Sequence, residues 1–429
     1  MMQGMPSYDR APPPSLPLPF LLAAPVWLGL AGAALLLADG GAPQRFDPAL
    51  LAAAHLLALG VLGNAMCGAA LQILAVVAGV SYTRPRRLLH GLFWPLQLGC
   101  GALALAFLNG FSRPAFLAAG ICLAWTLLGL ASLGLAGLWR SPARDASSRG
   151  IAAALACLIL VVALGLTLAG TVADSWPLPW LRLLNLHILF ALGGWLLGLI
   201  MAVAITVVPM FQITPAYPAR WQRFAAATWL AALALAAIGL WLECWPLTLP
   251  ACALATAFAW HTGRLQARSR RPQDIGRRFW QCAMAALVLA LAAALAQLAG
   301  WDAEGLPEAA GWLALFGLGG GAVLGMWYKI LPFLLWLDLQ KRAPRGRRAP
   351  STLQLLPESA HSRCLALYLI ALGLGTAAAA GGAPTAAPAI ALLALAACWA
   401  WDGSAAMRRY RACRRAWTDS PAQLGAATP

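Results

Sequence analysis

WLALFGLGGGAVLGMWYKILPF, residues 312–333, is an apolar stretch long enough to cross a bilayer, and it contains one of the only two lysines in the chain. It aligns without a gap with HLLALGVLGNAMCGAALQILAV, residues 55–76. The alignment matches glycines and sets polar residues opposite one another; the matched pairs are Gly60 with Gly317, Gly68 with Gly325, Gln72 with Lys329, and His55 with Trp312. The two stretches therefore indicate an internal repeat.

A third stretch, residues 187–209, joins this repeat when Gly194 is aligned with the first matched glycine. Thr206 then occupies the position of the glutamine and the lysine above. Each interval between copies holds four apolar runs, so we predict three copies of a four-helix unit. His187 falls two residues earlier, relative to its glycine, than His55 does. Since two residues are about 200° of helix, the two histidines need not face the same way.

The composition is that of a polytopic membrane protein. The chain of 429 residues is 61% hydrophobic and only 10% charged, with a mean hydropathy of +0.74, whereas soluble domains carry about 25% charged residues. We predict an all-α fold with twelve membrane spans, because runs of about 20 apolar residues are needed to cross the hydrocarbon core. The runs cover residues 17–37, 50–80, 88–110, 115–139, 150–173, 184–210, 223–243, 247–263, 278–299, 309–337, 363–382 and 385–402.

The arginines predict the orientation. Only Arg45, Arg113 and Arg182 fall in the odd-numbered connections, whereas the even-numbered connections and the C-terminal tail hold most of the basic residues. By the positive-inside rule both termini are cytoplasmic, in a bacterial-type inner membrane. We expect a disordered proline-rich N-terminus over 1–16, a membrane domain over 17–402 and a basic cytoplasmic tail over 403–429. The basic loops are read as topology signals that face anionic lipid, not as nucleic-acid sites.

Polar residues inside the spans are the candidate functional groups. Gln72, Thr206 and Lys329 share one repeat position, which predicts a central polar cluster in which the lysine relays a proton or pairs with an anion. The alternative for Lys329 is an ammonium that snorkels toward the interface from a helix shortened by Pro332. The ten cysteines contain no CxxC or CxxCH motif and are read as packing residues.

Three motifs carry a resemblance to a known superfamily: His55 with GAALQILAVVAG, LHILFALGGW with VVPMFQITPAYP, and GMWYKILPF. On these motifs and its twelve-span layout, the chain resembles subunit I of the haem–copper oxidases, including the nitric oxide reductases and, more distantly, the NnrS membrane proteins. The resemblance implies that His55 is a low-spin haem ligand and that His187 stands where a copper ligand is found. It also implies paired histidines on the seventh and tenth spans, and neither pair is present.

The missing histidines exclude a terminal oxidase or nitric oxide reductase, so no enzyme activity is assigned. Without those histidines, the resemblance implies one haem b, held by His55 with or without His187, and copper is not expected. The function it implies lies in respiratory or nitric oxide-related metabolism, with a small gaseous ligand. In the alternative, both histidines are hydrogen-bonded to neighbouring helices, and the protein is a cofactor-free transporter with a central polar path for an anionic ligand, or a non-catalytic assembly subunit.

Overall fold

The computed structural model describes residues 11–38, 45–143, 145–301, 303–344 and 347–418, and every regular element in these ranges is a helix. Eleven of the helices in these ranges are long and apolar enough to span a membrane. The long helices are α1 (Leu18–Leu35), α2 (Pro48–Val76), α3 (Pro85–Leu108), α4 (Arg113–Arg140), α5 (Ala146–Ala173), α6 (Trp180–Gln212), α7 (Ala219–Trp241), α8 (Leu249–Ala267), α9 (Ile275–Leu298), α10 (Leu306–Arg342), α11 (Glu358–Ala379) and α12 (Ala386–Thr418).

The helix that is not among the eleven is α8, which corresponds to the predicted span 247–263. It begins with apolar residues, but its last turns carry His261, Thr262, Arg264 and Gln266. These polar residues lower the mean hydropathy of α8, although its length is sufficient for a span.

Aspartates begin three of the helices. Asp47 at the start of α2 accepts hydrogen bonds from the amides of Ala49 and Leu50 at 2.6 and 3.1 Å. Asp145 and Asp274 cap α5 and α9 in the same manner. A carboxylate at this position satisfies amides that have no partner within the helix.

Two predicted boundaries change. The last apolar run was predicted to end at residue 402, but α12 continues to Thr418, and its Tyr410 hydroxyl donates to Asp338 of α10 at 2.7 Å. Residues 403–418 of the predicted tail are therefore helical, while 419–429 lie outside the described residues. At the N-terminus, residues 1–10 also lie outside the described residues. In the rest of the segment predicted to be disordered, the amide of the buried Leu16 donates to the carbonyl of Pro13 at 2.9 Å and closes a turn.

A widened, π-helical segment interrupts α2, α6 and α10. These segments are Leu56–Gly63, Leu189–Leu197 and Leu313–Gly320. The segment of α10 packs against the other two, and a Cβ atom placed on Gly319 would lie 2.6 Å from Leu62 and 3.3 Å from Leu196. The three helices therefore meet at Gly319, where a larger side chain would keep them apart.

Short connections make successive helices antiparallel. The connections before α2, α4, α6, α8, α10 and α12 form one side of the bundle, which we call the arginine-poor side. Those before α3, α5, α7, α9 and α11 form the arginine-rich side.

Candidate functional site

A cavity of about 790 Å³ lies between α2, α6, α7, α9 and α10, toward the arginine-poor side. Its walls are mostly leucine, alanine and glycine, with Leu192, Leu233, Leu291 and Leu315 among them. Ligand pockets in proteins measure about 300–1,000 Å³ and are usually apolar with a few polar groups. The size and the lining therefore suit a small molecule whose surface is mostly apolar.

The polar part of the cavity lining is concentrated at its mouth. Arg45, Asp47, Glu243 and Glu308 line the cavity where the helices reach the arginine-poor side. Glu243 accepts a charge-assisted hydrogen bond from Arg182 at 2.7 Å. A ligand in this cavity would thus place an apolar body between the helices and any polar group at the mouth.

His55 lies outside the cavity lining and faces α3. Its ring contacts that of Phe107, with 4.9 Å between centroids, and its Nδ1–H donates to the carbonyl of Leu51 at 2.8 Å. A histidine anchored through Nδ1 in this way presents Nε2 to a metal. The orientation of His55 is therefore compatible with an axial ligand.

His187 also lies outside the cavity lining and packs on α5. A Cβ atom on Gly165 would lie 3.2 Å from its Cε1 atom, and its Nδ1 is buried with no hydrogen-bond partner among the described residues. Both histidines lie in the first turns of their helices, near the arginine-poor side. The two predicted cofactor ligands are thus at the same end of the bundle.

These donors suit a haem iron better than a copper ion. One or two imidazoles are sufficient as axial ligands of haem, whereas a copper site needs several converging ligands. Within the described ranges, no group of three or more His, Cys, Asp or Glu side chains is placed to hold a metal ion.

The three residues of the predicted polar cluster have different surroundings. Thr206 shares a hydrogen bond of 2.9 Å with Ser147 at the start of α5, and Lys329 pairs with Asp274 at the start of α9. The Oε1 atom of Gln72 is buried without a hydrogen-bond partner in the described part of the chain. Thr206 and Lys329 thus each bind a residue at the start of the preceding helix.

Lys329 forms an ion pair that the sequence did not predict. Its Nζ lies 2.6 Å from Asp274 Oδ1, and the two side chains are 23% and 4% exposed. Asp274 also accepts from the Gly276 amide, at the helix terminus where a carboxylate is favoured. The aspartate lies in the basic loop RSRRPQDIGRR, whose arginines predict a topology anchor or a partner site. Its position just before an apolar run was the signal for a helix cap.

A second buried polar group joins α10, α11 and α12. Asp402 accepts from the Tyr328 hydroxyl at 2.8 Å and from Arg363 at 2.9 Å, while His361 Nε2 donates to the Tyr328 carbonyl at 3.0 Å. Tyr328, His361 and Asp402 are all buried. The sequence did not predict this contact, because residue 361 lies just outside the predicted span 363–382 and residue 402 is the last residue of the predicted span 385–402.

Hydrogen bonds also join α8 to the end of α6 and to the connection that follows α6. The Tyr217 hydroxyl lies 2.8 Å from Thr262 Oγ1, and Gln266 donates to Gln212 at 2.9 Å. Burial raises the pKa of Tyr217, so its hydroxyl remains protonated at neutral pH. Like the two buried groups above, these contacts lie toward the arginine-rich side, away from the mouth of the cavity.

Comparison with known proteins does not identify the chain. No model of a known protein family matches the sequence, and no curated protein matches it. The function has to be inferred from the side chains and the cavity of this chain.

Proposed function

We propose that the chain is a twelve-helix membrane protein built from three four-helix repeats. The π-helical segments support this, because those of α2 and α10 coincide in the alignment of the two stretches and that of α6 begins one residue earlier. Leu62, Leu196 and Gly319, which meet at the centre, occupy one position of the same alignment. Such an arrangement is consistent with a distant relationship to the haem–copper oxidase architecture.

We count α8 as the twelfth span. Ala251 near its start lines the cavity, and Gln266 near its end bonds to Gln212 on the arginine-rich side. The helix thus runs the depth of the bundle. With twelve spans, the arginine-rich side and both termini are cytoplasmic in a bacterial-type inner membrane, and the cavity opens outward.

For the function, we propose a cofactor-free membrane carrier that takes up a small, mostly apolar molecule from the outer side. The observation that carries this proposal is the apolar cavity of about 790 Å³, which lies toward the outer side, while buried polar contacts join the helices toward the opposite side. A carrier caught in its outward-open state has this form. An anionic ligand at Lys329 is not favoured, because Asp274 already neutralises the ammonium.

Photolabelling of the purified protein in nanodiscs tests the cavity. An uncharged alkyl diazirine should label residues of the cavity wall, and the peptides can be assigned by mass spectrometry. Leu291→Trp places an indole in the cavity wall and should reduce this labelling. Leu289→Trp is the matched control, since Leu289 is 57% exposed on the same helix. Equal labelling of the two variants would contradict a cavity that binds ligand.

A second candidate function is haem binding by His55 and His187. The observation that favours it is the orientation of His55, whose Nδ1 bond to the Leu51 carbonyl leaves Nε2 for an iron. A haem b held there would supply one-electron redox chemistry and an iron able to bind nitric oxide. The protein would then act in respiratory or nitric oxide-related metabolism, as the resemblance implies.

Absorption spectra distinguish the two candidates. Protein made with ample haem should show a Soret band that shifts on reduction and on addition of nitric oxide, and His55→Ala should remove it. His90→Ala is the control, because His90 lies near the arginine-rich end of α3 and bonds to Trp94 at 3.2 Å. Haem-free protein with normal thermal stability would rule out the haem function and leave the carrier.

A further inference from the structure

We propose that the ligand of the cavity is an amphipathic cation, with an apolar body between the helices and one positively charged amine at the mouth. The inference rests on the proposed carrier function and adds the chemical class of its substrate. It follows from the side chains at the mouth, which the repeat motifs did not include.

Two pairs of carboxylate and tryptophan line the mouth. Glu308 and Trp312 lie one helical turn apart on α10, so both are on the same face, and both line the cavity. Glu243 and Trp245 form the second pair, in the connection from α7 to α8. A carboxylate beside an aromatic face is the combination that binds an organic ammonium, through charge and through the ring quadrupole.

The tryptophan on α10 is held in place. Trp312 stacks on Phe316 with 4.6 Å between centroids, and its Nε1 donates to the Leu372 carbonyl at 3.1 Å. Gly375 of α11 lies against the same ring, so the two faces of Trp312 are covered by Phe316 and Gly375. The more exposed tryptophan at the mouth is Trp245, at 36%.

The charges that line the mouth are mostly committed to contacts within the protein. The Asp47 carboxylate caps α2, Arg182 binds Glu243, and the Arg45 guanidinium lies over the Phe46 ring at 5.4 Å from its centroid. Three carboxylates and one guanidinium thus line the mouth, and Glu308 is the carboxylate for which no ion pair or hydrogen bond is found within the described ranges. A cation would gain this carboxylate as its partner, whereas an anion would be repelled by it.

The apolar walls set the form of the rest of the ligand. Leucines 192, 233, 291 and 315 lie deeper than the mouth, where a second charge would have to be buried without a partner. A dication or a zwitterion is therefore disfavoured. The structure assigns a monocation with a hydrocarbon or aromatic body.

Competition against the alkyl diazirine tests the charge preference in nanodiscs of zwitterionic lipid. The three probes share one chain length: decyltrimethylammonium, decanol and decanoate. The ammonium should compete about five- to tenfold better than decanol, since an ion pair combined with a cation–π contact contributes about 1 kcal/mol. Decanoate should compete least.

Glu308→Gln removes the charge but keeps the shape of the side chain, so it should abolish the preference for the ammonium and leave competition by decanol unchanged. Glu304→Gln is the control, because Glu304 is exposed and is not part of the cavity lining. Unchanged photolabelling and an unchanged melting temperature would show that both variants are folded.

The possible outcomes separate the two proposals. Equal competition by ammonium and decanol, or a preference for decanoate, would overturn the assignment of a cation and leave the cavity as a binding site. Absence of competition by all three probes would instead overturn the carrier function itself.

Discussion

At the scale of single residues, Lys329 depends on a partner from outside its own helix. Its ammonium lies 2.6 Å from the Asp274 carboxylate, which is only 4% exposed. A buried ion pair adds little net stability compared with apolar residues, but removing one partner leaves a charge without compensation. The arrangement therefore makes single and double substitutions behave differently.

Lys329→Met should lower the free energy of unfolding by about 2 kcal/mol or more, because the Asp274 carboxylate remains buried without its cation. Asp274→Asn should also destabilise the protein, although asparagine keeps the cap on α9. The double variant should recover more than half of either loss. Melting temperatures in detergent at neutral pH measure all three.

Arg342→Met is the control for this series. Arg342 pairs with Asp338 on the same helix, but it is 53% exposed, and Asp338 keeps the Tyr410 hydroxyl as a partner. Exposed pairs contribute about 0–1 kcal/mol, so little change is expected. A loss as large as that of Lys329→Met would show that the buried pair has no special role.

Sequence reasoning singled out Lys329 correctly as unusual but did not find Asp274. A lysine in an apolar run stands out because of its cost, whereas an aspartate in an arginine-rich loop looks ordinary. Their contact depends on how α9 packs against α10, and no local pattern encodes that packing. The same limit applies to His55 and His187, whose neighbours Phe107 and Gly165 come from other helices.

At the scale of helices, the apolar runs predicted the helices themselves, and the matched glycines marked where they come close. A Cβ atom on Gly60, Gly194 or Gly317 would lie 2.7, 2.7 or 2.6 Å from the Cβ atom of Trp27, Cys157 or Ala286. Each contact joins the second helix of a proposed repeat to the first. The π-helical segments were not predicted, since an apolar run has the same composition in an α- and a π-helix.

Substituting alanine at Gly60, Gly194 or Gly317 should destabilise the protein by about 1–3 kcal/mol, because the added methyl group meets a Cβ atom that cannot rotate away. Gly311→Ala on α10 is the matched control, since no atom lies within 4 Å of its added Cβ. Thermal unfolding of the four variants gives the comparison. Similar losses at the three positions support equivalent contacts, and a loss at Gly311 alone would argue against them.

At the scale of the whole molecule, the described residues give eleven candidate spans and one further long helix, while the number of crossings depends on α8. The distribution of arginines in the sequence predicts which connections share one side of the bundle and which of the two sides is cytoplasmic. The cavity could not be predicted, because its wall comes from helices far apart in the chain, and a period of 3.6 does not say which face looks inward.

Cys244 provides a test of the orientation. It is exposed in the connection between α7 and α8, which faces outward in the twelve-span arrangement. A membrane-impermeant maleimide should label it in intact spheroplasts, and Cys244→Ser should lose this label. Cys413 near the end of α12 should react only after the membrane is opened. The reverse pattern would place both termini outside.

The length of α12 has a mechanical consequence. Its 33 residues measure about 50 Å at 1.5 Å per residue, so roughly 20 Å extend past a hydrocarbon core of about 30 Å. The last turns therefore form a rigid helical extension outside the hydrocarbon core. A folded domain fused in helical register at Thr418 would turn rigidly with the bundle, and it could serve as an orientation marker for imaging a membrane protein of this small size.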